Sequence, residues 1–479
     1  GYFWQVTDFH YDSRYSVNGV PSQMCHQGQV DKGADKLGQF GNYLCDAPWK
    51  LITSAIEGMK SIHDSPDFIL WTGDSIPHVN NSDLNLPEVY TIIGNVTDKL
   101  IEVFPNTTIF PVLGNHDAYP SNQMVPGATT GYYTGILQNS RWTKLLGSNQ
   151  QTQFENGGYY SVLIQSGLKL LGLNTNLYYD QNKLVADIQD PAGQLEWMEQ
   201  QLEDSRTNKQ KVVYIISHVP PGAFERVKNI AWFYPQFNQQ YIKLLLKYTD
   251  LIVGQFYGHE HTDSFRILLN EKNQAVSSLF LAPAVTPWKS TLPGVGANNP
   301  GIRLYMYRKD TGAVLDFQQY FLNLTKANSE NQGNWELEYQ ATSEFTLSDT
   351  SVSELDRLVQ SFHNDEFLFN KYLLINSVSQ DTNPNCTGDC KHQQICAIRY
   401  IDFDMFSQCI TGNRITTQQP YHTTRKHHHR KEVPEYMLYV IGTMGGVILI
   451  MTIVFACFCV SNRKKRIPYK YAPINPRIN

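Results

Sequence analysis

A handful of short fragments carry the side chains best suited to chemistry: Asp8-Phe-His10, Gly73-Asp74 with His78 just behind it, Gly114-Asn-His-Asp117, the isolated His218, and Gly258-His259-Glu-His261. Carboxylate, imidazole and amide oxygen together are ligands for zinc, manganese or iron. A D-x-H pair can point both groups at one ion, an Asp from a neighbouring segment can bridge two, and Asn115 adds an amide oxygen without adding charge. Two ions about 3.5–4 Å apart clamp the attacking and leaving oxygens of an in-line phosphoryl displacement and acidify bound water. Phosphate esters resist hydrolysis because their negative charge repels the nucleophile, and a dinuclear cation neutralises that charge where it develops. Each fragment alone fits a duller role: D-x-H and Gly-Asp are common in turns, and a His ahead of Val219-Pro-Pro221 is more often a core imidazole. The ordered set D-x-H, G-D, G-N-H-D, H, G-H-x-H is what lifts the fragments above chance.

The segments ahead of the fragments explain how they could converge. Tyr2–Thr7, Phe68–Trp71, Thr107–Leu113, Leu168–Leu173, Val212–Ile216 and Leu251–Phe256 read as short buried strands, and all but one run directly into a fragment. Pro48–Ile62 and Pro87–Phe104 have helical apolar spacing. Strand and helix patterns alternate over about 300 residues, which predicts an α/β sandwich with its site at the carboxyl ends of the strands.

This order of motifs resembles the calcineurin-like metallophosphoesterase superfamily, a β-sandwich flanked by helices. Longer stretches are similar to the acid sphingomyelinase-like phosphodiesterases: Thr72-Gly-Asp-Ser-Ile-Pro-His78, Leu173-Asn-Thr-Asn-Leu-Tyr-Tyr179, Gly254-Gln-Phe-Tyr-Gly258, Ala282-Pro-Ala-Val-Thr-Pro-Trp288 and Asn299-Pro-Gly-Ile-Arg303, with Ser290–Pro300 closest to the 3b branch. The resemblance implies that Asp8, His10, Asp74 and His261 hold one ion. It implies that Asp74 bridges to a second, completed by Asn115, His218 and His259. It further implies that His116 is the general acid and that His78 contacts phosphate or assists proton transfer. On the residues alone, His116 is the motif His without ligand duty, and an imidazole suits acid catalysis near neutral pH. Zinc is the expected metal. The expected activity is hydrolysis of a phosphodiester (a small molecule, nucleotide or lipid head group) by in-line attack of a metal-bound hydroxide. The alternatives are a phosphomonoesterase or nucleotidase, or a membrane regulator of lipid-dependent innate immune signalling. Glu260 stands between two ligands and brings negative charge near the site.

The chain has 479 residues, a formal charge of −5 and many aromatics; no strong basic face points to nucleic-acid binding. Met437–Val460 is an apolar run without a charge, and about 20 such residues span a bilayer. With Arg463-Lys-Lys-Arg466 behind it, the run predicts a single-pass type I protein at the plasma membrane or an endolysosomal membrane, its tail cytoplasmic. The expected order is a catalytic domain over 1–322, a small helical, disulfide-stapled subdomain over 323–411, a linker over 412–436, the span over 437–460 and a tail over 461–479. In that tail Tyr471-Ala-Pro-Ile474 fits a sorting-adaptor signal. The sequons at Asn80, Asn95, Asn106, Asn323 and Asn385 and an even set of six Cys ahead of the span fit the secretory pathway. Local grouping favours the bonds Cys25–Cys45, Cys386–Cys390 and Cys396–Cys409, one of fifteen pairings; a zinc knuckle is the alternative for the last four. The chain opens directly on a strand-like segment, as a mature N-terminus after signal cleavage would.

Overall fold

The computed structural model describes residues 1–28, 36–165, 167–208, 212–228, 230–292 and 295–412. The first apolar runs form strands β1 (Tyr2–Val6), β2 (Phe68–Trp71) and β3 (Thr108–Pro111), which pair in parallel. Helices α1 (Trp49–Ile62) and α2 (Leu86–Val103) make the crossovers between them. Nearly every residue of these strands is buried, as expected of parallel strands covered on both faces. Helix α2 starts where Asn85 accepts the Glu88 amide and a proline occupies the first turn, both of which favour initiation there.

Helices α3 (Tyr132–Asn139) and α4 (Ser148–Gly157) lead to a second group of strands: β4 (Tyr160–Gln165), β5 (Leu168–Gly172), β6 (Val212–Ile216), β7 (Ile252–Tyr257), β8 (Ser264–Leu269) and β9 (Ala275–Leu281). Helices α5 (Gln194–Thr207) and α6 (Pro235–Lys247) carry the chain from β5 to β6 and from β6 to β7. Then β10 (Gly301–Tyr307), β11 (Val314–Leu322) and β12 (Trp335–Gln340) return to the first group. The result is two mixed sheets, ordered β12-β11-β10-β1-β2-β3 and β4-β5-β6-β7-β9-β8. Their inner faces meet through aromatic rings: Phe3 of one sheet lies edge-on to Phe256 of the other at 5.3 Å, and Tyr305 to Phe280 at 5.6 Å. The expected strands and helices fall within a few residues of these bounds.

After β11 the chain forms α7 (Leu324–Glu330), then β12, α8 (Ala341–Glu344), α9 (Val352–Ser361), α10 (Glu366–Asn376), α11 (Asp389–Arg399) and α12 (Phe403–Ile410). The segment expected to form a small helical subdomain also supplies β12, the outer strand of the first sheet, in register with β11 from Gln318↔Gln340 to Leu322↔Trp335. Disulfides join Cys25 to Cys45, Cys386 to Cys390 and Cys396 to Cys409. The sulfurs of the last four are therefore not free thiolates for a zinc knuckle. Of the sequon asparagines, Asn80, Asn106, Asn323 and Asn385 are exposed and Asn95 is half-buried within α2.

The expectation of a single-pass type I membrane protein is corrected here. Among the described residues no helix is long and apolar enough to cross a membrane. The stretch on which that expectation rested, 437–460, lies outside the described residues, as do the linker beyond 412 and the tail with Tyr471–Ile474.

Candidate active site

The parallel strands of the two sheets end at one common edge, and every fragment singled out in the sequence except His78 begins there. Asp8 and His10 follow β1, Asp74 follows β2, Asn115 and His116 follow β3, His218 follows β6, and His259 and His261 follow β7. Asp74 is the meeting point. Its Oδ2 lies 3.4 Å from His10 Nε2 and 3.2 Å from His218 Nε2, while Asp8 Oδ1 lies 3.7 Å from His10 Nε2 and 3.4 Å from His261 Nε2. The Asn115 amide oxygen faces His218 Nε2 at 3.0 Å and His259 Nδ1 at 2.8 Å. The structure thus gathers two adjoining groups, Asp8-His10-Asp74 with His261 and Asp74-His218-His259 with Asn115, which share one carboxylate.

The backbone is shaped for this convergence. Asp8, His10, Asp74, His259 and His261 all have positive φ, between +41° and +75°, a region that Asp and His enter more readily than most residues. Glycines stand where a side chain would strike a ligand: a Cβ on Gly114 would come 2.0 Å from Asp74 Oδ1, and one on Gly258 would come 2.5 Å from Asp8 Oδ2. Asp117 fixes the β2 and β3 ends to each other, its two oxygens accepting the amides of Gly114, Asp74 and Ser75 at 2.8–3.0 Å.

The donors fit a metal pair. His10 Nδ1 donates to the Ile76 carbonyl at 2.6 Å and His218 Nδ1 to the Thr72 carbonyl at 2.8 Å. A carbonyl accepts only a proton, so each ring is held in the tautomer whose Nε2 lone pair faces the carboxylates. Asn115 Nδ2 donates to Asn122 at 2.8 Å, which leaves its oxygen aimed at the two imidazoles. His259 Nε2 is buried without a hydrogen-bond partner. Asp8 and Asp74 are buried, and among the described residues no Lys or Arg pairs with either. Buried carboxylates facing lone pairs need a cation between them. Without one, the imidazoles must carry the charge. Burial opposes that charge, yet the carboxylates around His10 and His218 push both up to about 9. Burial likewise works to raise Asp8, yet His218, His10 and His261 hold it down at about 2.

Above the cluster opens a cavity of about 260 Å³. His78 and His116 line it, their rings edge to face at 4.3 Å. His78 is sandwiched between His10 at 4.0 Å and Trp288 at 3.8 Å, and its Nδ1 faces the buried Asp46 at 3.0 Å. Trp232 and Tyr179 form the opposite wall, lying edge-on to His259 at 4.3 and 5.1 Å. Tyr178, its sequence neighbour, is wholly buried in the core. Glu260 lines the cavity with its carboxylate engaged elsewhere: both its oxygens accept from Arg266 Nη2. Sequence reading missed Trp232, Asp46, Asn122 and the Arg266 pairing. Trp288 closes a stretch that did attract notice, whereas the others have no local pattern around them.

Two sheets whose strand ends pool carboxylates and imidazoles around a shared Asp define a metal-dependent phosphoester hydrolase. Residues 1–263 match the calcineurin-like phosphoesterases, and residues 274–416 match the C-terminal region of acid sphingomyelin phosphodiesterase. Among similar proteins, the acid sphingomyelinase-like phosphodiesterase 3b of Homo sapiens is 40% identical over 421 residues, covering 87% of this chain and 91% of that protein. A cyclic GMP-AMP phosphodiesterase of Bos taurus is 39% identical, covering 85% of this chain and 90% of its own length. The sphingomyelinase phosphodiesterase C of Dictyostelium discoideum is 37% identical, covering 86% and 92%. The chain belongs to the acid sphingomyelinase-like phosphodiesterases of the calcineurin-like phosphoesterase superfamily, and is a phosphodiester hydrolase.

Proposed function

We propose that the chain hydrolyses small phosphodiesters at a site for two divalent ions, with zinc as the metal. Asp8, His10, Asp74 and His261 hold one ion, and Asp74, Asn115, His218 and His259 hold the other. The position of Asp74 Oδ2, between His10 and His218 at 3.4 and 3.2 Å, carries this reading. When bound, such ions supply Lewis-acid polarisation of a phosphoryl oxygen and make water acidic enough to ionise near neutral pH. The imidazole-rich donor set favours zinc over magnesium or calcium.

The remaining work falls to side chains at the cavity. His116 reaches it with no competing contact on its buried Nδ1, and serves as the proton donor to the leaving oxygen. His78, its plane fixed by Trp288 and His10 and its Nδ1 turned to Asp46, presents its other edge to the phosphate. The aromatic walls of Trp232, Tyr179 and Trp288 suit a substrate with a flat or cationic group on its phosphate, since rings stack on a nucleobase and attract a quaternary ammonium. Cyclic GMP-AMP, for which one relative is named, carries nucleobases, and sphingomyelin, for which another is named, carries a quaternary ammonium on its phosphate.

The test is metal content alongside hydrolysis of bis(p-nitrophenyl) phosphate and p-nitrophenyl phosphate, with and without chelator. The expected result is two metals per chain, chelator-sensitive diester cleavage, and a fall of about 10²–10⁴-fold in kcat for His116→Ala on a diester with a poor leaving group. A folded protein that takes up no metal would overturn the reading, and preference for the monoester would make the enzyme a phosphatase.

A further inference from the structure

Between the proposed ligands His259 and His261, the Glu260 carboxylate at the cavity lining is bound into a buried polar network. Its carboxylate accepts two hydrogen bonds from the Arg266 guanidinium at 2.6 and 2.8 Å and one from the Trp232 indole at 2.8 Å. Arg266 also reaches Glu225 at 3.2 Å. Glu225 in turn accepts from Tyr372 at 2.8 Å and from Asn376 at 2.5 Å, both on α10. Asn376 closes the circuit by donating to the Asp263 carbonyl at 2.8 Å, two residues past His261. Glu225, Glu260, Arg266, Tyr372 and Asn376 are all buried.

Two facts make this more than a satisfied ion pair. First, the residues on either side of Glu260 have φ of +75° and +62°. Left-handed backbone outside glycine persists only where the surroundings over-determine it, and within the turn itself the Glu260 amide bonds only to the Gly258 carbonyl. Asp8 accepts the His259 amide, and Ala284 and Asn298 donate to the His261 carbonyl, so the ends of the turn are tied and the Glu260 side chain is the anchor at its middle, between the two imidazoles. Second, the anchor does not end in the sheets. It runs to α10, more than 100 residues further along the chain, in the segment that follows the last ligand motif.

We propose that Glu260 is a positioning residue: through Arg266 and Glu225 it ties the His259–His261 turn to α10, so that the C-terminal helical segment sets how firmly the site retains its metal. The proposal rests on the two-metal reading above. It assigns Glu260 no contact with metal or substrate. An acidic group here raises retention by fixing two neutral ligands, and does so with its charge matched by Arg266.

The test uses the full chain loaded with Zn²⁺ and measures metal release to a chromogenic chelator well below the melting temperature, for wild type, Glu260→Gln and Tyr372→Phe. Supporting partners of metal ligands change affinity by about 10–100-fold. Release is expected to quicken about tenfold in Glu260→Gln, with activity restored by excess Zn²⁺, and to shift in the same direction by about threefold in Tyr372→Phe, whose ring stays in place. Release at the wild-type rate in both variants would overturn the proposal while leaving the two-metal reading intact. So would lost activity that added Zn²⁺ does not restore, since that marks general structural damage. Should Glu260→Gln not fold, Tyr372→Phe alone decides between these outcomes. A wild-type chain that takes up no Zn²⁺ would overturn both.

Discussion

The Asp8-Phe-His10 and His259-Glu-His261 turns follow central strands of opposite sheets and share an unusual backbone: in each, both ligand residues have positive φ and flank a residue outside the proposed ligand set. Their anchors differ in kind. Phe9 is wholly buried in the apolar core, its ring edge-on to Trp71 at 6.0 Å. The turn around it is also laced into the sheet by backbone bonds, from the Asp8 amide to Gly73, from His10 to Asp74 and from Ala47 to His10. Glu260 is held by an ion pair, and its turn has fewer backbone bonds of its own. One geometry is thus supported twice, once by packing and once by charge. An apolar anchor is tolerant of direction and intolerant of volume, while an ionic one is intolerant of losing either partner.

The largest expected effect comes from the ionic side. Arg266→Met leaves Glu260 and Glu225 buried without their cation, and breaking a buried pair this way costs about 3–5 kcal/mol. Chemical denaturation should show that loss, and the variant should shed metal as it does so. On the apolar side, Phe9→Ala opens a cavity at a cost of about 3 kcal/mol or somewhat more, whereas Phe9→Leu, nearer in volume, should cost under about 1.5 kcal/mol. A denaturation midpoint unmoved by Phe9→Ala would mean that the backbone bonds alone hold that turn, and the contrast between the two anchors would lapse.

The contrast also marks what the sequence could disclose. Asp8, His10, Asp74, Asn115, His218, His259 and His261 were legible because each ends an apolar strand, and parallel strands must deliver their carboxyl ends to one edge. The alternation in Trp335-Glu-Leu-Glu-Tyr-Gln340 is a strand pattern of period two; β12 was hidden by the helical stretches around it. Glu260 was legible as charge near the site, but its pairing was not, because Arg266 lies six residues on, within β8. Asp46, Asn122 and Trp232 meet the site across 32, 7 and 28 residues of chain at His78, Asn115 and Glu260, and no local pattern fixes such meetings.

The smallest expected effect separates the two anchors most cleanly. Trp232 belongs to both the network and the cavity wall: its N–H meets Glu260 and its ring edge meets His259. Trp232→Phe keeps an aromatic edge and removes the donor. Arg266 still holds both Glu260 oxygens, so the ligand turn keeps its main support and the metal content should not change. What is lost is the hydrogen bond that sets the ring's angle, worth about 1 kcal/mol, or roughly a fivefold rise in KM for the diester with kcat little altered. Phe9 has no counterpart to this, because it touches no wall of the cavity, and Phe9→Leu should leave KM where it was. A Trp232→Phe enzyme with wild-type KM would show that the ionic anchor serves the backbone alone. The two turns would then differ in the chemistry of their support but not in what the support reaches.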